Sequence, residues 1–164
     1  MSLQKQVNSN WALGVEGDFA SANPRQSALG GAYGFRAGKD GIMAGRFAWV
    51  DSDNVTVTQA QPLNAKKPNG FVHRDMNAMM IGYMDEATMQ YASGLPIDLF
   101  TQGDFYARSS NGGKRGQKVY ASTKDGTILC DATGVAHDGF IETDWYCALT
   151  ANAGELVIIS SYPV

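Results

Sequence analysis

The chain has 164 residues, a formal net charge of −3 and a charged fraction of only 18%. This length suits a single domain, and the slightly negative charge argues against a dedicated nucleic-acid-binding protein. No apolar run approaches the roughly 18 residues of a membrane span, and the N-terminus lacks the apolar segment of a secretory signal. We therefore expect a protein made in a cytoplasm that contacts neither a membrane nor nucleic acid directly.

Residues 1–41 carry no sustained secondary-structure pattern. They are rich in glycine, serine and asparagine, with isolated aromatic residues that include Trp11 and Phe19. Neither strict alternation nor a 3.6-residue period persists, and long irregular segments are uncommon in compact domains unless they are functional or disordered. We interpret residues 1–41 as an extended N-terminal arm or loop with one short strand, and residues 42–164 as a single β-rich domain.

From residue 42 onward, short alternating or β-branched runs recur with turn residues between them. The predicted strands cover 42–50, 54–60, 70–75, 87–92, 96–102, 105–109, 118–122, 127–131, 141–151 and 155–162. The tetrapeptide Lys124-Asp125-Gly126-Thr127 predicts a tight hairpin turn, and the apolar run 155–162 predicts a central strand. Residues 76–89, which hold five of the seven methionines, fit a helix of about three turns or a strand followed by a turn. This spacing of strands predicts an all-β sandwich, jelly roll or barrel.

The tripeptide His73-Arg74-Asp75 matches the letters that open a protein-kinase catalytic loop. That loop needs an asparagine five residues after its aspartate to hold a metal ion, and this chain has Met80 there. The sequence also contains no Asp-Phe-Gly motif. We therefore interpret the tripeptide as the end of a strand in a protein that is not a kinase.

Few residues suit catalysis or metal binding. His73 and His137 are the only histidines, and a zinc site would need several ligands gathered together. Cys130 and Cys147 show no CxxC spacing, and disulfides are rare in a cytoplasm, so two buried free thiols are favoured over a late disulfide. The loop 111–116 lacks the spacing of a phosphate-binding loop and is typical of a basic hairpin tip. We expect no cofactor, no metal site and no enzymatic activity.

Five motifs occur in an order that resembles a known family. They are GDFASANPR (17–25), GRFAWVD (45–51), GFVHRD (70–75), GLPIDLFTQGDFYAR (94–108) and KVYASTKDGTI (118–128). Together they resemble the structural cement, or capsid decoration, proteins of tailed bacteriophages. The resemblance implies a jelly-roll or β-tulip fold and a position on the exterior of the virion capsid. It also implies that the partner is the major capsid protein, whose neighbouring subunits the protein would lock together.

The contacts with the capsid are inferred from residue types. The arm offers a turn, an aromatic anchor and an exposed cation, a combination typical of interface hot spots. The candidate contact residues are Trp11, Phe19, Asn23, Pro24, Arg25 and Phe71. In the structural alternative, Phe19 packs on its own domain and Arg25 pairs with a local aspartate. A homodimer is favoured over a trimer because closed two-fold pairing is the commonest homo-oligomer.

Two other functions stay open from the sequence. A carbohydrate- or host-surface-binding module of the virion would use exposed aromatic platforms, for which Trp11, Trp49 and Trp145 are the candidates. A small hydrolase would need a Ser-His-Asp arrangement that forms only in the fold, although no GxSxG motif marks its nucleophile.

Overall fold

The computed structural model describes residues 13–63, 65–75 and 88–164, and every helix or strand element in these ranges is a β-strand. The strands are β1 (Gln26–Ser27), β2 (Phe35–Ala37), β3 (Ile42–Met43), β4 (Phe47–Val50), β5 (Thr56–Thr58), β6 (Gly70–Val72), β7 (Gln90–Tyr91), β8 (Pro96–Ile97), β9 (Leu99–Gln102), β10 (Asp104–Arg108), β11 (Lys118–Ser122), β12 (Ile128–Asp131), β13 (Phe140–Cys147) and β14 (Leu156–Ser160). The described part of the chain contains no helix long and apolar enough to cross a membrane. Most of the undecided segment 76–89 lies outside the described residues.

The strands form three sheets. Seven of them make the largest sheet, in the order β1-β9-β6-β4-β5-β2-β8. Five make an antiparallel sheet, in the order β10-β14-β13-β11-β12, and β3 pairs with β7 in a two-stranded ribbon. In the seven-stranded sheet, β2 and β5 run parallel, and the other described pairs are antiparallel.

The central strands of the seven-stranded sheet, β4 and β6, are buried on both faces. Successive side chains of a strand point to opposite faces, so Phe47 and Trp49 of β4 enter a core shared with the five-stranded sheet. Ala48, between them, enters a second core shared with the β3–β7 ribbon. Phe71 and Val72 of β6 divide between the two cores in the same way. The molecule is therefore built in three layers, with the largest sheet in the middle.

The all-β sandwich predicted from the sequence is confirmed, and the described strands form no closed barrel. β11 occupies the predicted range 118–122, and it pairs with β12 across the predicted hairpin turn. β14 lies between β10 and β13, which is the interior position expected for the run 155–162. The predicted strand 42–50 is instead broken into β3 and β4, and Gly45 between them has a left-handed φ of 79°.

The described part of the predicted arm, residues 13–41, contributes two strands to the seven-stranded sheet. β1 pairs with β9, and β2 lies between β5 and β8. Phe35 and Ala37 of β2 are buried in the core next to the ribbon. These residues therefore pack on the body of the protein, whereas residues 1–12 lie outside the described residues.

The edge strand β12 is covered by a side chain. The Asn111 amide donates to the carbonyl of Cys130 (2.8 Å), and its Oδ1 accepts from the Cys130 N–H (3.0 Å). Asn111 thus completes the hydrogen bonds that a further strand would supply. Uncovered edge strands invite pairing with other chains, so this contact protects the five-stranded sheet from edge-to-edge association.

Replacing Asn111 by alanine is expected to destabilise the protein by about 1–3 kcal/mol, because the backbone groups of Cys130 lose their partners. Urea unfolding measures this change, with Asn152→Ala in an exposed turn as the matched control. Equal free energies of unfolding for the two variants would contradict the role given to Asn111.

Candidate partner-binding surface

Residues 17–27 cross the edges of both large sheets. The N–H of Gly17 donates to the carbonyl of Tyr106 (2.7 Å), and that of Ala20 donates to the carbonyl of Asp104 (2.9 Å). This part of the segment therefore runs along β10, the edge strand of the five-stranded sheet. The chain then continues into β1, which is the edge strand of the seven-stranded sheet. The 17–27 segment thus links one side of the sandwich to the other.

Phe19 anchors the 17–27 segment. Its ring stacks on His73 with centroids 4.0 Å apart, and it makes aromatic contacts with Phe100 (5.5 Å) and Phe105 (5.2 Å). On the other side, the guanidinium carbon of Arg25 lies 3.9 Å from the ring centroid. A cation over an aromatic ring contributes about 0.5–1 kcal/mol at an exposed site. Phe19 therefore joins the core to a cation at the surface.

Two residues of the His73-Arg74-Asp75 tripeptide contact the start of the 17–27 segment. β6 ends at Val72, so the prediction of a strand end is confirmed. The Nδ1–H of His73 donates to the carbonyl of Gly17 (2.8 Å), since a carbonyl can only accept. The Arg74 guanidinium forms an ion pair with Asp18 (3.0 Å). These contacts are structural, and they place the tripeptide beneath the 17–27 segment.

A buried carboxylate holds the next part of the segment. Asp104 is only 8% exposed, and its Oδ2 accepts from Ser21 Oγ (2.5 Å) and Asn23 Nδ2 (2.6 Å). Its Oδ1 is buried and accepts from no described group. The hydroxyl of Tyr162 donates to the carbonyl of Pro24 (2.6 Å). The backbone of residues 20–25 is therefore fixed from below, while the side chains of residues 21–27 are exposed.

Four of the six candidate contact residues lie together on the 17–27 segment: Phe19, Asn23, Pro24 and Arg25. Phe19 packs on its own domain, and Arg25 stacks on that ring instead of pairing with an aspartate. Phe71 is fully buried in the core, so its side chain is not available to a partner. Trp11 lies outside the described residues.

The residues that support the segment were not found from the sequence. Asp104, His73 and Tyr162 are distant in the chain from residues 17–27, so no local spacing connects them. One signal was present, because Gly-Asp-Phe occurs at 17–19 and again at 103–105. The two phenylalanines of these repeats, Phe19 and Phe105, form a backbone bridge.

The chain resembles known proteins in sequence and in fold. The family model described as XM1 gp53 minor capsid protein matches residues 3–161. The chain belongs to this family. The resemblance to capsid-associated proteins of tailed phages is therefore confirmed, and the chain is a capsid-associated virion protein.

No curated protein matches the chain. A solved chain from the structure "The capsid of Myoviridae Phage XM1" is similar, with a TM-score of 0.63 and 14% sequence identity. The match covers 98% of this chain and 98% of that chain. At this identity the likeness concerns the fold alone, and it extends over nearly the whole molecule.

The predicted sugar-binding platforms are largely wrong. Trp49 is 0% exposed and Trp145 is 5% exposed, and both belong to the core between the two large sheets. A sugar ring could reach neither indole face. β4, which carries Trp49, lies between two cores, so neither of its faces is open to solvent. The third candidate, Trp11, lies outside the described residues.

A second polar cluster surrounds Glu142. Its carboxylate accepts from the N–H of Gly134 (2.8 Å), the hydroxyl of Thr133 (2.8 Å) and the hydroxyl of Tyr120 (3.1 Å). His137 lies beside Asp131, with 3.0 Å between Nε2 and Oδ2, without a hydrogen bond between them. Across the described residues, no group of three or more His, Cys, Asp or Glu side chains is arranged to hold a metal ion. This cluster orders the 132–139 loop.

Replacing Asp104 by alanine is expected to free the 17–27 segment, because Ser21 and Asn23 lose their shared acceptor. The hydrogen-bonded backbone amides of Ala20 and Asn23 should exchange with solvent about tenfold faster or more, which corresponds to roughly 1.4 kcal/mol. Hydrogen-exchange mass spectrometry measures this effect. Asp98→Ala, at an exposed aspartate, is the matched control, and unchanged exchange of these two amides in Asp104→Ala would refute the assignment.

Glu142 is expected to make stability depend on pH. The N–H of Gly134, with the hydroxyls of Thr133 and Tyr120, lowers the pKa of Glu142 below its ordinary value. A carboxyl with a lowered folded-state pKa stabilises the fold above its unfolded value of about 4.3, and this stabilisation is lost as pH falls through the folded-state pKa. Glu142→Gln should therefore cost more stability near neutral pH than in acid. Urea unfolding across this range tests it, and parallel pH profiles for the two proteins would contradict it.

Proposed function

We propose that the protein is a decoration, or cement, protein of a phage head. In this role it binds the outer surface of the assembled capsid and stabilises contacts between major capsid protein subunits. Its membership of a minor capsid protein family supports a structural role in the virion. The observation that carries the finer proposal is the exposed segment 21–33, whose backbone is hydrogen-bonded to the body of the protein up to Ala28. This function involves no catalytic step and no cofactor.

The exposed segment 21–33 combines residue types that suit a protein partner. Leu29 is 96% exposed and Tyr33 is 81% exposed, and both lie in the loop that follows β1. Asn23 and Arg25 are exposed on the same stretch of chain. Tyrosine and arginine are enriched among the residues that dominate protein interfaces. Single exposed apolar residues are ordinary, but here two large ones lie on the loop next to the candidate contacts.

Much of this segment is organised before a partner binds. Asp104 and Tyr162 fix its first part, and the N–H of Ala28 donates to the carbonyl of Leu99 (2.6 Å). Binding costs conformational entropy for every group that becomes ordered, so a segment that is already ordered binds with a smaller penalty. A surface that is ordered before binding therefore suits a protein that must occupy many equivalent sites.

The stabilising mechanism follows from mass action. A ligand that binds only the assembled lattice stabilises it by about 2.7 kcal/mol per site when its concentration is a hundred times its Kd. Summed over the sites of a head, weak contacts could oppose the pressure of packaged DNA. A homodimer that bridges two capsid subunits would gain further through avidity, and a trimer at local three-fold positions is the alternative.

Replacing Leu29 by serine is expected to weaken capsid binding about tenfold or more, because burying a leucine side chain contributes about 1.5–3 kcal/mol. Co-sedimentation with expanded, undecorated phage heads measures the binding. Leu63→Ser is the matched control, since Leu63 is 93% exposed and lies in a different loop. Both variants should keep the stability of the parent protein.

Saturable pelleting at a fixed ratio to the major capsid protein would support the cement role, and that ratio separates two-fold from three-fold occupancy. Absence of pelleting with intact, matched heads would refute the role. An equal loss for both leucine variants would move the contact away from residues 21–33. Deleting residues 1–25 is a poorer test, because it also removes Phe19 from the core and the hydrogen bonds to β10.

A further inference from the structure

In the part of the chain that the structure describes, three of the four edge strands of the two large sheets are protected. Residues 17–20 cover β10, and the side chain of Asn111 covers β12. The third edge strand, β8, begins with a proline. β1 is the fourth edge strand, and no strand in the described ranges pairs with its outer side. Because unprotected edges invite pairing with other chains, β1 is the candidate for an interface.

The hydrogen bonds of β8 show how its edge is blocked. Pro96 lies opposite Arg36 of β2, and the N–H of Ala37 donates to the carbonyl of Leu95 (2.9 Å). In an antiparallel ladder the residues that flank such a pair bond inward, so the backbone groups of Pro96 point away from β2. Because proline has no N–H, the outer edge of β8 lacks the donor that a further strand would need.

Ser27 occupies the corresponding position on β1 and keeps its N–H. It lies opposite Phe100 of β9, and the N–H of Ala28 donates inward to the carbonyl of Leu99 (2.6 Å). By the same alternation, the N–H and C=O of Ser27 point away from β9. β1 therefore offers both a donor and an acceptor at its outer edge.

A bulge in the β1–β9 pair leaves this outer edge regular. Ser27 pairs with Phe100 and Gln26 pairs with Gln102, so Thr101 of β9 is the extra residue. A bulge bends the strand that carries the extra residue, and here that strand is β9. Both side chains of β1 are exposed, so a second chain can reach the strand.

We propose that β1 pairs with β1 of a second copy of this chain, antiparallel and about a two-fold axis at Ser27. A residue whose N–H and C=O both point outward can exchange two hydrogen bonds with its own counterpart. The seven-stranded sheets of the two copies then join into one continuous sheet. This inference gives a surface to the homodimer of the proposed function, and it rests on that function for its role on a capsid.

The residues of this stretch favour pairing with a second copy. Residues 26–29 are uncharged, whereas edge strands that avoid pairing commonly carry lysine or another charge. In the two-fold register Ser27 faces its counterpart, and Arg25 of one copy faces Leu29 of the other, so no like charges are opposed. The contact is made by backbone groups, so the Leu29 side chain stays available to the capsid. Closed two-fold pairing is also the commonest arrangement of homo-oligomers.

Sedimentation equilibrium of the purified protein over a concentration series tests this dimer. The wild type should approach twice the mass of the chain. Ser27→Lys and Ser27→Asp each place like charges opposite one another, and each should weaken dimerisation about tenfold or more. An equimolar mixture of the two variants should restore the dimer, because opposite charges then face each other. Ser52→Lys, at an exposed serine in another turn, is the matched control and should dimerise like the wild type.

Ser27→Pro tests the backbone contact by giving β1 the protection that β8 already has. It removes an N–H that points outward, so the protein should become monomeric while its stability in urea stays unchanged. A wild type that is monomeric at every concentration would overturn the proposal. So would a dimer that survives all three Ser27 substitutions, or a mixture of the two charge variants that stays monomeric.

This measurement contains no capsid, so its outcome is separate from that of the pelleting experiment. Saturable binding to heads by a monomeric protein would remove the β1 dimer and leave the cement role. A dimer that depends on Ser27, in a protein that does not pellet with heads, would remove the cement role and leave the β1 interface.

Discussion

The burial of the central strands of the seven-stranded sheet on both faces is the constraint on which the rest of the structure depends. A strand between two cores needs apolar side chains at successive positions, and β4 meets this need with Phe47 and Trp49 on one side and Ala48 on the other. The small residue faces the ribbon, and the large ones fill the space below the five-stranded sheet. Large aromatic residues that would suit ligand binding on an exposed sheet are used here for packing.

The same architecture creates the candidate binding surface. A sandwich of open sheets has edge strands with unpaired backbone groups, and natural proteins protect them. Residues 17–20 cover β10, β1 completes the other sheet, and Asn111 covers β12. Because the 17–27 segment must reach both sheets, it crosses the open side of the sandwich. Its side chains are therefore exposed while its backbone is fixed.

The sequence correctly predicted features that depend only on residues close together in the chain. The hairpin turn at Lys124-Asp125-Gly126-Thr127 and the strand 118–122 were found because turn chemistry and alternation lie within a few residues. The burial of the Trp49 and Phe71 side chains could not be predicted from local patterns, since it depends on which sheet covers each face of their strands. Similarly, the aromatic and cationic character of Phe19 and Arg25 was visible in the sequence. Their support by Asp104 was not, because that residue lies far away in the chain.

The buried carboxylate beneath the segment is consistent with the proposed binding surface. A carboxylate oxygen without a partner costs stability, and proteins retain such groups where function requires them. The compensation at Asp104 is that one oxygen holds Ser21 and Asn23 together, with a geometry that an apolar residue could not impose. A fixed surface lowers the entropic cost of binding a partner. It is useful when the same contact must form repeatedly against a rigid, symmetric partner, and a capsid lattice is a partner of this kind.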